Sequence, residues 1–302
     1  MQDATAGDPI DGLRWTHKCT RKLAAALRRQ GYAVGATTVA RLLHQCGYSL
    51  RTNRKRLAKT HDPDRNRQFL LLARRRRRFI RCGWPVISVD TKKKEWIGNF
   101  KNPGRCWRRQ ALDVWDHDFP SWAIGRAITY GIYDEGRNIG YALIGTAHET
   151  PEFAVAALRS WWLATGRWCY PRTRRLAIEA DCGGANGNRR WGWKAGLQRL
   201  ADEFGLTITV GHFPTGASKW NPIEHRMFAL LSKNWAGQPL VSYETMLNFI
   251  QTTTSKTGFR CRACLDTFPY ETKVKVSAEE RAAIRWKRHK VLPKWNYTIR
   301  PR

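Results

Sequence analysis

The feature that most constrains the fold is an alternation of short apolar runs with helical segments between Gly83 and Trp235. The runs PVISVD, AIGRAITYGIYDE, NIGYALIG, RRLAIEAD and LTITVGHF are rich in β-branched and aromatic residues and predict strands. The segments PEFAVAALRSWWLATG, RRWGWKAGLQRLADEFG and PIEHRMFALLSKNW predict helices, and Thr150 with Pro151 opens the first. The order of these elements along the chain predicts an α/β fold with a mixed sheet flanked by helices.

Three acidic residues stand at the ends of these predicted elements. Asp90 and Asp181 each end an apolar strand, and Glu224 lies in the first turn of the last predicted helix. In open α/β sheets the functional crevice lies off the carboxyl ends of the strands, and neighbouring strands are about 5 Å apart. Asp90 and Asp181 can therefore share two cations about 3.5 to 4 Å apart, with Glu224 closing the site. We predict that these carboxylates are both catalytic and metal-binding.

Other interpretations of the acidic residues remain open. Asp90 and Asp181 can be turn formers at strand ends, and Glu224 can be a helix acid favoured by the macrodipole. Two further groups do not follow an apolar strand in the sequence pattern, and we expect both to be loop acids. These groups are Asp113, Asp116 and Asp118 in ALDVWDHDF, and Asp134 with Glu135 in a predicted hairpin turn.

The charge of the chain predicts a polyanionic partner. The sequence contains 54 Lys and Arg against 24 Asp and Glu, which gives a formal net charge of +30. Each Lys or Arg docked on a phosphate releases condensed counterions, so nucleic acid is the leading partner. An anionic membrane surface competes, but no stretch approaches the roughly 20 apolar residues of a membrane span, and the N-terminus has no secretory pattern. We therefore expect a cytoplasmic protein with no membrane partner.

The N-terminal segment THKCTRKLAAALRRQGYAVGATTVARLLHQCGYSL predicts two short helices around a glycine-containing turn. This pattern is typical of a helix-turn-helix, whose second helix would offer four residues to a DNA groove: Thr38, Arg41, His44 and Gln45. A plain helical hairpin with a solvated basic face is the alternative. The basic segment 51–69 suits a linker or wing along phosphates. The five arginines at 74–78 span more than one helical turn and cannot all face one groove.

The cysteines predict reduced thiols and no metal site. Eight cysteines are scattered along the chain, and only Cys261 and Cys264 form a CxxC pair. A structural zinc needs two more ligands, and the sequence offers no second half-site. We expect Cys261 and Cys264 to be structural thiols in a loop, followed by a C-terminal helix that Ser277 and Glu280 cap as a box.

Three long segments resemble the signature blocks of a known family. SVDTKKKEWIGNFKNPGR, ADCGGANGNR and HFPTGASKWNPIEHRMF are similar to blocks of the Rhodopirellula-type DDE transposases of bacterial insertion sequences. The segment from Trp15 is similar to their helix-turn-helix, and the similarity continues to Ile299. The resemblance implies a ribonuclease-H-like catalytic core preceded by a small all-helical helix-turn-helix domain. It places the DDE triad on Asp90, Asp181 and Glu224.

The resemblance also implies a domain order, a reaction and partners. We expect a helix-turn-helix domain over 1–60, a basic linker helix over 61–83 and the catalytic domain over 84–302. Two Mg²⁺ or Mn²⁺ ions would support hydrolysis at transposon ends, and the freed 3′-hydroxyl would then attack target DNA. The expected partner is double-stranded DNA, bound by a homo-oligomer in the bacterial nucleoid.

Basic residues that flank the acids are expected to grip the scissile strand: Lys92, Lys93, Lys94, Lys219 and His225. Solvated surface charge is the alternative for each. Two alternative functions remain: a ribonuclease-H-like nuclease without strand transfer, and an inactive or truncated transposase-derived DNA-binding protein. Family members usually carry a longer N-terminal region, so we expect an additional end-binding module to be missing. Cys182 stands where the family suggests alanine, and we expect this small change to leave metal binding intact.

Overall fold

The structure is a computed structural model that describes residues 5–7, 14–16, 18–51 and 62–302. The chain divides into two compact units, Met1–Leu57 and Ala58–Arg302. The predicted domain boundaries at residues 60 and 83 stay predictions. Much of the predicted basic linker or wing, residues 52–61, lies outside the described residues.

The first unit contains a short hairpin and two helices. Strand β1 (Thr5–Gly7) pairs antiparallel with β2 (Arg14–Thr16), and helices α1 (Thr20–Arg29) and α2 (Ala36–Gln45) follow. The hairpin corrects the expectation of an all-helical domain, because backbone groups ahead of α1 are satisfied by strand pairing. Leu23, Ala24 and Val39 form a small core between the helices. The assignment of these helices as a helix-turn-helix stays a prediction.

The second unit begins with a long helix and continues as alternating strands and helices. Its elements are α3 (Arg65–Arg81), β3 (Val86–Thr91), β4 (Glu95–Ile97), β5 (Gly125–Asp134), β6 (Ile139–Gly145), α4 (Pro151–Trp161), α5 (Arg167–Cys169), β7 (Arg175–Ala180), α6 (Trp191–Phe204), β8 (Thr207–His212), α7 (Ala229–Asn234), α8 (Tyr243–Gln251), β9 (Arg260–Asp266), α9 (Ala278–Ala282), β10 (Trp286–Arg288) and β11 (Asn296–Ile299). A π-helical turn, Trp162–Gly166, joins α4 to α5, and a second, Glu224–Phe228, leads into α7. None of the helices described is long and apolar enough to cross a membrane.

The strands of the second unit form one mixed sheet. Nine strands among the described residues belong to it, in the order β10-β11-β8-β7-β3-β5-β6-β9, with β4 paired to β5 beside this path. β3, β7 and β8 are parallel, whereas β5 is antiparallel to both β3 and β6. The central order β6-β5-β3-β7-β8 is the ribonuclease-H-like arrangement. It confirms the predicted α/β class and the mixed sheet.

Helices cover both faces of this sheet. On one face α4 and α6 bury Trp161 and Trp193 against side chains that include Ile87 and Ile178. On the other face the segment around α7 and α8 buries Met227 and other apolar side chains. Successive strand residues point to opposite faces, so Ser88 and Asp90 face away from Ile87 and Val89, toward the α7 side.

Helix α3 lies where a linker helix was expected, but it packs on the sheet as part of the second unit. Leu72 and Phe79 are buried, and Gln68 Nε2 donates a 2.8 Å hydrogen bond to the backbone oxygen of His212. Arg76 forms ion pairs with Glu135, at 2.7 Å, and with Glu179. Within residues 74–78, positions 75 and 76 are partly buried and the other three are exposed, as five consecutive helical residues require.

One sequence-based expectation for a loop is partly wrong and a second is wrong. Glu135 lies in the predicted hairpin turn between β5 and β6, but Asp134 ends β5 and is fully buried. Its carboxylate accepts hydrogen bonds from the Tyr170 hydroxyl and from the backbone N–H groups of Gly136 and Arg137 in the turn. The expected loop around Cys261 and Cys264 is strand β9, which pairs in parallel with β6. Residues three apart in a strand face opposite sides, so Cys261 is buried and Cys264 is exposed.

The C-terminal helix is as expected. The capping box between Ser277 and Glu280 is confirmed at the start of α9. The side chain of Ser277 accepts from the Glu280 backbone, and the Glu280 carboxylate accepts from the Ser277 backbone. The side chains of Cys261 and Cys264 lie on opposite faces of strand β9, so the two thiols cannot bind one ion together.

Candidate active site

Asp90 and Asp181 lie side by side at the carboxyl ends of two adjacent parallel strands. The register pairs Val89 of β3 with Ala180 of β7, so each aspartate follows the last paired position of its strand. Both side chains are half-buried and line an open cleft of ≈ 510 Å³. Asp90 Oδ1 accepts a 2.8 Å hydrogen bond from the backbone N–H of Thr91. The expectation that strand ends would bring these two residues together therefore agrees with the register of the sheet.

Asn221 ties the start of the Glu224 helix to both aspartate strands. It is fully buried, and its Nδ2 donates 3.2 Å hydrogen bonds to the backbone oxygen of Val89 and to Asp181 Oδ1. Ser88 donates to Asn221 Oδ1 and accepts from the backbone N–H of Ile223. The sequence analysis missed this positioning residue, although an Asn-Pro pair before a helix was a usable signal.

Gly131 allows the helix to approach the sheet next to Asp90. It pairs with Asp90 across β3 and β5. A Cβ atom at Gly131 would lie 2.4 Å from the ring of Phe228 and 2.9 Å from the side chain of Ile223. Directly paired residues face the same side of a sheet, so the Glu224 helix covers the face that carries Asp90.

The carboxylates of the site repel one another. Burial, together with the negative charges of Asp181 and Glu224, raises the pKa of Asp90 to about 8, and the hydrogen bond from Thr91 opposes this rise. Burial, together with the charge of Glu224, raises the pKa of Asp181 to about 6, and the hydrogen bond from Asn221 opposes this rise. The two lysines next to Asp90 that form ion pairs do so with other acids, Lys92 with Glu95 and Lys94 with Glu149. The ion pairs of the described residues therefore do not balance the charge of Asp90 and Asp181.

The chemistry of these residues fits a divalent cation. Carboxylate oxygens are the ligands that Mg²⁺ prefers, and a cation would remove the repulsion that raises both aspartate pKa values. Asp90 and Asp181 line the cleft directly, whereas Glu224 is outside its lining. Within the described residues, no three acidic, His or Cys side chains lie close enough together to hold one ion. In the structure, the charge of Glu224 therefore acts on both aspartates, but only Asp90 and Asp181 line the cleft.

Glu149 is a fourth acid that the sequence analysis missed. It immediately precedes Thr150, the cap of α4, and lines the same cleft. Its charge also raises the pKa of Asp90, and its carboxylate forms a 3.2 Å ion pair with Lys94. No local signal marks Glu149, because only the connection from β6 to α4 brings it to the end of β3.

His212 supports Asp181 from the neighbouring strand. Its Nδ1 donates a 2.9 Å hydrogen bond to the backbone oxygen of Asp181. Burial lowers the pKa of His212 to about 4, so the ring is neutral at pH 7. We assign His212 the role of holding the Asp181 backbone in place.

The basic residues expected to grip DNA differ in their surroundings. Lys92 is buried, with its ammonium paired to Glu95 and 4.8 Å from the ring centre of Trp235. Lys94 pairs with Glu149, and Lys93 is exposed at the cleft. Arg126, which the sequence analysis did not select, also lines the cleft.

The remaining predicted DNA contacts lie away from the cleft lining. Lys219 accepts a hydrogen bond at its backbone oxygen from His225 Nε2, and both residues belong to the approach to α7. In the first unit, Arg41, His44 and Gln45 are exposed on α2, and Thr38 is half-buried. These positions are open to solvent, and their role in DNA binding stays a prediction.

The strand order of the sheet and the two aspartates at the ends of β3 and β7 define a ribonuclease-H-like fold with an acidic site at the strand ends. Comparison with protein families confirms the sequence resemblance: the model of the Rhodopirellula transposase DDE domain matches residues 1–301. The chain belongs to this family.

Comparisons with solved structures find Mos1 transposase complexes. The Mos1 paired-end complex with the left transposon end has 16% identity and a TM-score of 0.47, covering 77% of this chain and 65% of that chain. The Mos1 Strand Transfer Complex has 17% identity and a TM-score of 0.45, covering 77% and 64%. This chain thus spans slightly less than two thirds of these Mos1 chains. A comparison with curated proteins found no match.

Proposed function

We propose that the protein is a transposase that cuts phosphodiester bonds at the ends of a DNA element and joins the freed ends to target DNA. The observation that carries this proposal is the Asp90 and Asp181 pair at adjacent strand ends, with both pKa values raised. Membership of a transposase family supports the choice of DNA as substrate.

In this proposal Asp90, Asp181 and Glu224 hold Mg²⁺ or Mn²⁺, two ions per site. When bound, such ions supply activation of a hydroxyl nucleophile and stabilisation of the leaving oxygen. Asn221 and His212 hold Asp181 at the cleft through its side chain and its backbone. Lys93 and Arg126 are placed at the cleft to contact phosphates of the strand.

The first unit is proposed to recognise the end sequence. The exposed side chains of Arg41, His44 and Gln45 on α2, with Thr38, would contact the base edges of a groove. Phosphate contacts by the basic surface would set position and affinity, because they carry no sequence information. The protein would act as a homo-oligomer that holds DNA ends together.

The decisive experiment is incubation of the purified protein with a duplex that carries the end of its own element, with Mg²⁺. We expect nicking at the element end and, when target DNA is added, a covalently joined product. Nicking without a joined product would favour a nuclease. Absence of nicking, with DNA binding retained, would favour a non-catalytic DNA-binding protein.

A further inference from the structure

A second cavity lies beside the active-site cleft. Its volume is ≈ 990 Å³, and its walls are the loop after Asp181, the start of α6 and the C-terminal strands β10 and β11. Gly183 and Gly184 line both this cavity and the cleft of Asp90 and Asp181. A Cβ atom at Gly183 would meet no atom within 4 Å, so the space beside this shared glycine is open. A strand in the cleft can therefore continue into this cavity.

The walls of the cavity are unusually aromatic. Trp191 and Trp286 meet edge to face, with ring centres 5.7 Å apart and planes at 90°. Trp286 packs in the same way on Tyr297, at 5.8 Å and 87°. Both tryptophans stay partly exposed at the cavity. Aromatic side chains in this setting are platforms on which nucleic-acid bases stack, whatever their sequence.

The same walls carry positive charge. Lys194 is buried, and its Nζ lies 5.0, 5.3 and 5.6 Å from the ring centres of Trp191, Trp286 and Tyr297. The ammonium donates to the backbone oxygen of Asn188. Arg189 and Arg190 are exposed, and no described carboxylate forms an ion pair with either. Asp62 is the acid among the lining residues, and it is paired with Lys294 at 2.8 Å. The cavity therefore combines stacking surfaces with cations for a phosphate.

We infer that this cavity binds one unpaired nucleotide of the DNA strand whose phosphodiester lies over Asp90 and Asp181. The inference rests on the proposed function and adds a binding site to it. A nucleotide matches the site because its base can stack on Trp191 or Trp286 while its phosphate faces Arg189 and Arg190. A paired base cannot enter, since it would have to leave its stack to reach the tryptophans. The nucleotide can come from a strand with a free 3′ end or from one with a free 5′ end.

The test is binding of the full-length protein, without divalent cations, to three duplexes that differ only at one end. One duplex is blunt, one has a 3′ single-stranded extension and one has a 5′ extension, each with 2-aminopurine at the first unpaired position or its blunt equivalent. We expect tighter binding of an extended duplex, with a fluorescence change of 2-aminopurine at that position. The extension that gives this result identifies the strand. Equal affinity for all three duplexes, with no fluorescence change, overturns the inference and needs no variant.

Variants then test the tryptophans. Trp286→Ala should weaken binding of the preferred extended duplex about tenfold or more, because stacking of a base on an aromatic ring contributes this much, and should leave blunt-duplex affinity unchanged. Trp168→Ala is the matched control, because each of the two tryptophans has an arginine over its ring. The Arg167 guanidinium lies 5.0 Å from the ring centre of Trp168, and the Arg288 guanidinium lies 5.2 Å from that of Trp286. The control should bind all three duplexes like the wild type. Equal losses in both variants, or an equal loss of blunt and extended binding in Trp286→Ala, contradict the inference.

The proposed function fails separately from this inference. A protein that prefers an extended duplex but never nicks with Mg²⁺ contradicts the proposed reaction and supports the nucleotide site. A protein that nicks with Mg²⁺ but binds blunt and extended duplexes equally supports the reaction and removes the site.

Discussion

Burial makes both Asp90 and Asp181 harder to ionise, and the charge of Asp181 adds to the effect on Asp90. Their raised pKa values, about 8 and about 6, mean that the folded protein keeps protons that the unfolded chain releases near pH 4. This contribution to the free energy of unfolding is fully present below pH 4 and is lost as the pH rises through 6 and 8. The metal-free protein should therefore lose stability over this pH range, and a bound cation should restore it by mass action.

Asp181→Asn removes one negative charge and keeps nearly the same shape. We expect the metal-free variant at pH 8 to melt at the wild-type temperature or above it, because the repulsion acting on Asp90 is smaller. We also expect a smaller rise in melting temperature with Mg²⁺ and no nicking. Thermal unfolding with and without Mg²⁺, together with a nicking assay, measures all three effects.

Asp116→Asn is the control for this experiment, because the Asp116 side chain is 79% exposed in the loop before β5. Its melting temperature, metal response and nicking should stay close to wild type. If Asp116→Asn abolishes nicking and Asp181→Asn cuts normally, the assignment of the active site is wrong.

Cys261 and Cys264 differ in burial, and this difference predicts different costs of substitution. Burial in an apolar cluster raises the pKa of the Cys261 thiol, which stays protonated. Cys261→Ser should lower the free energy of unfolding by about 1–3 kcal/mol, because it places a hydroxyl in that cluster. Cys264→Ser, on the exposed face of the same strand, should change it by less than about 0.5 kcal/mol. Denaturant unfolding of the two single variants measures both values, and equal costs would contradict the strand assignment of β9.

At the scale of elements, Arg76 of α3 pairs with two buried acids, Glu135 and Glu179, and these ion pairs hold α3 on the sheet. Burial, together with repulsion by Glu179, raises the pKa of Glu135 to about 9, and the charge of Arg76 opposes this rise. Glu135 therefore carries a proton at pH 7 and can donate it to Glu179, which is paired with Arg76. The stability that this proton contributes is present below the unfolded pKa of about 4.5 and is lost as the pH rises through 9.

Glu135→Gln replaces the protonated carboxyl with an amide that cannot ionise. Between pH 7 and pH 10 the wild type should lose about 3 kcal/mol more of its free energy of unfolding than the variant does. Denaturant unfolding at several pH values gives this difference. Glu271→Gln, at an exposed glutamate, should follow the wild-type curve. A Glu135→Gln curve as steep as the wild type would show that Glu135 does not hold the proton.

The central elements could be predicted from the sequence because their signals are local. The strands that carry Asp90 and Asp181 are continuous apolar runs, so both their type and the position of each acid follow from the pattern. Strand β9 begins with alternating Arg and Cys residues, and its exposed charged residues make the sequence resemble a loop, so the strand was not predicted. The contacts of Arg76 with Glu179 and of Glu149 with the cleft join residues far apart in sequence. No local pattern specifies such contacts.

At the scale of the whole molecule, the net charge of +30 should dominate DNA affinity. The logarithm of the affinity should fall linearly with the logarithm of salt concentration, with a slope near −0.9 for each phosphate contacted.

Removal of residues 1–57, the first unit, should abolish the preference for element-end DNA and leave weak, salt-dependent binding by the second unit. Binding titrations at several salt concentrations test both statements. A flat salt response, or full retention of end preference after truncation, would be the opposite of what we expect.

The packing around Gly131 limits which substitutions this gene can accumulate without a change in the site. Any other residue there would place a Cβ atom 2.4 Å from the Phe228 ring, so Phe228 or the helix that carries it would have to shift away from the strand that pairs with Asp90. On the proposed function, Gly131→Ala should lower nicking although it keeps all three acids, and a nicking assay of the variant measures this. A search for active copies of the gene that counts only the acidic triad would then overstate their number.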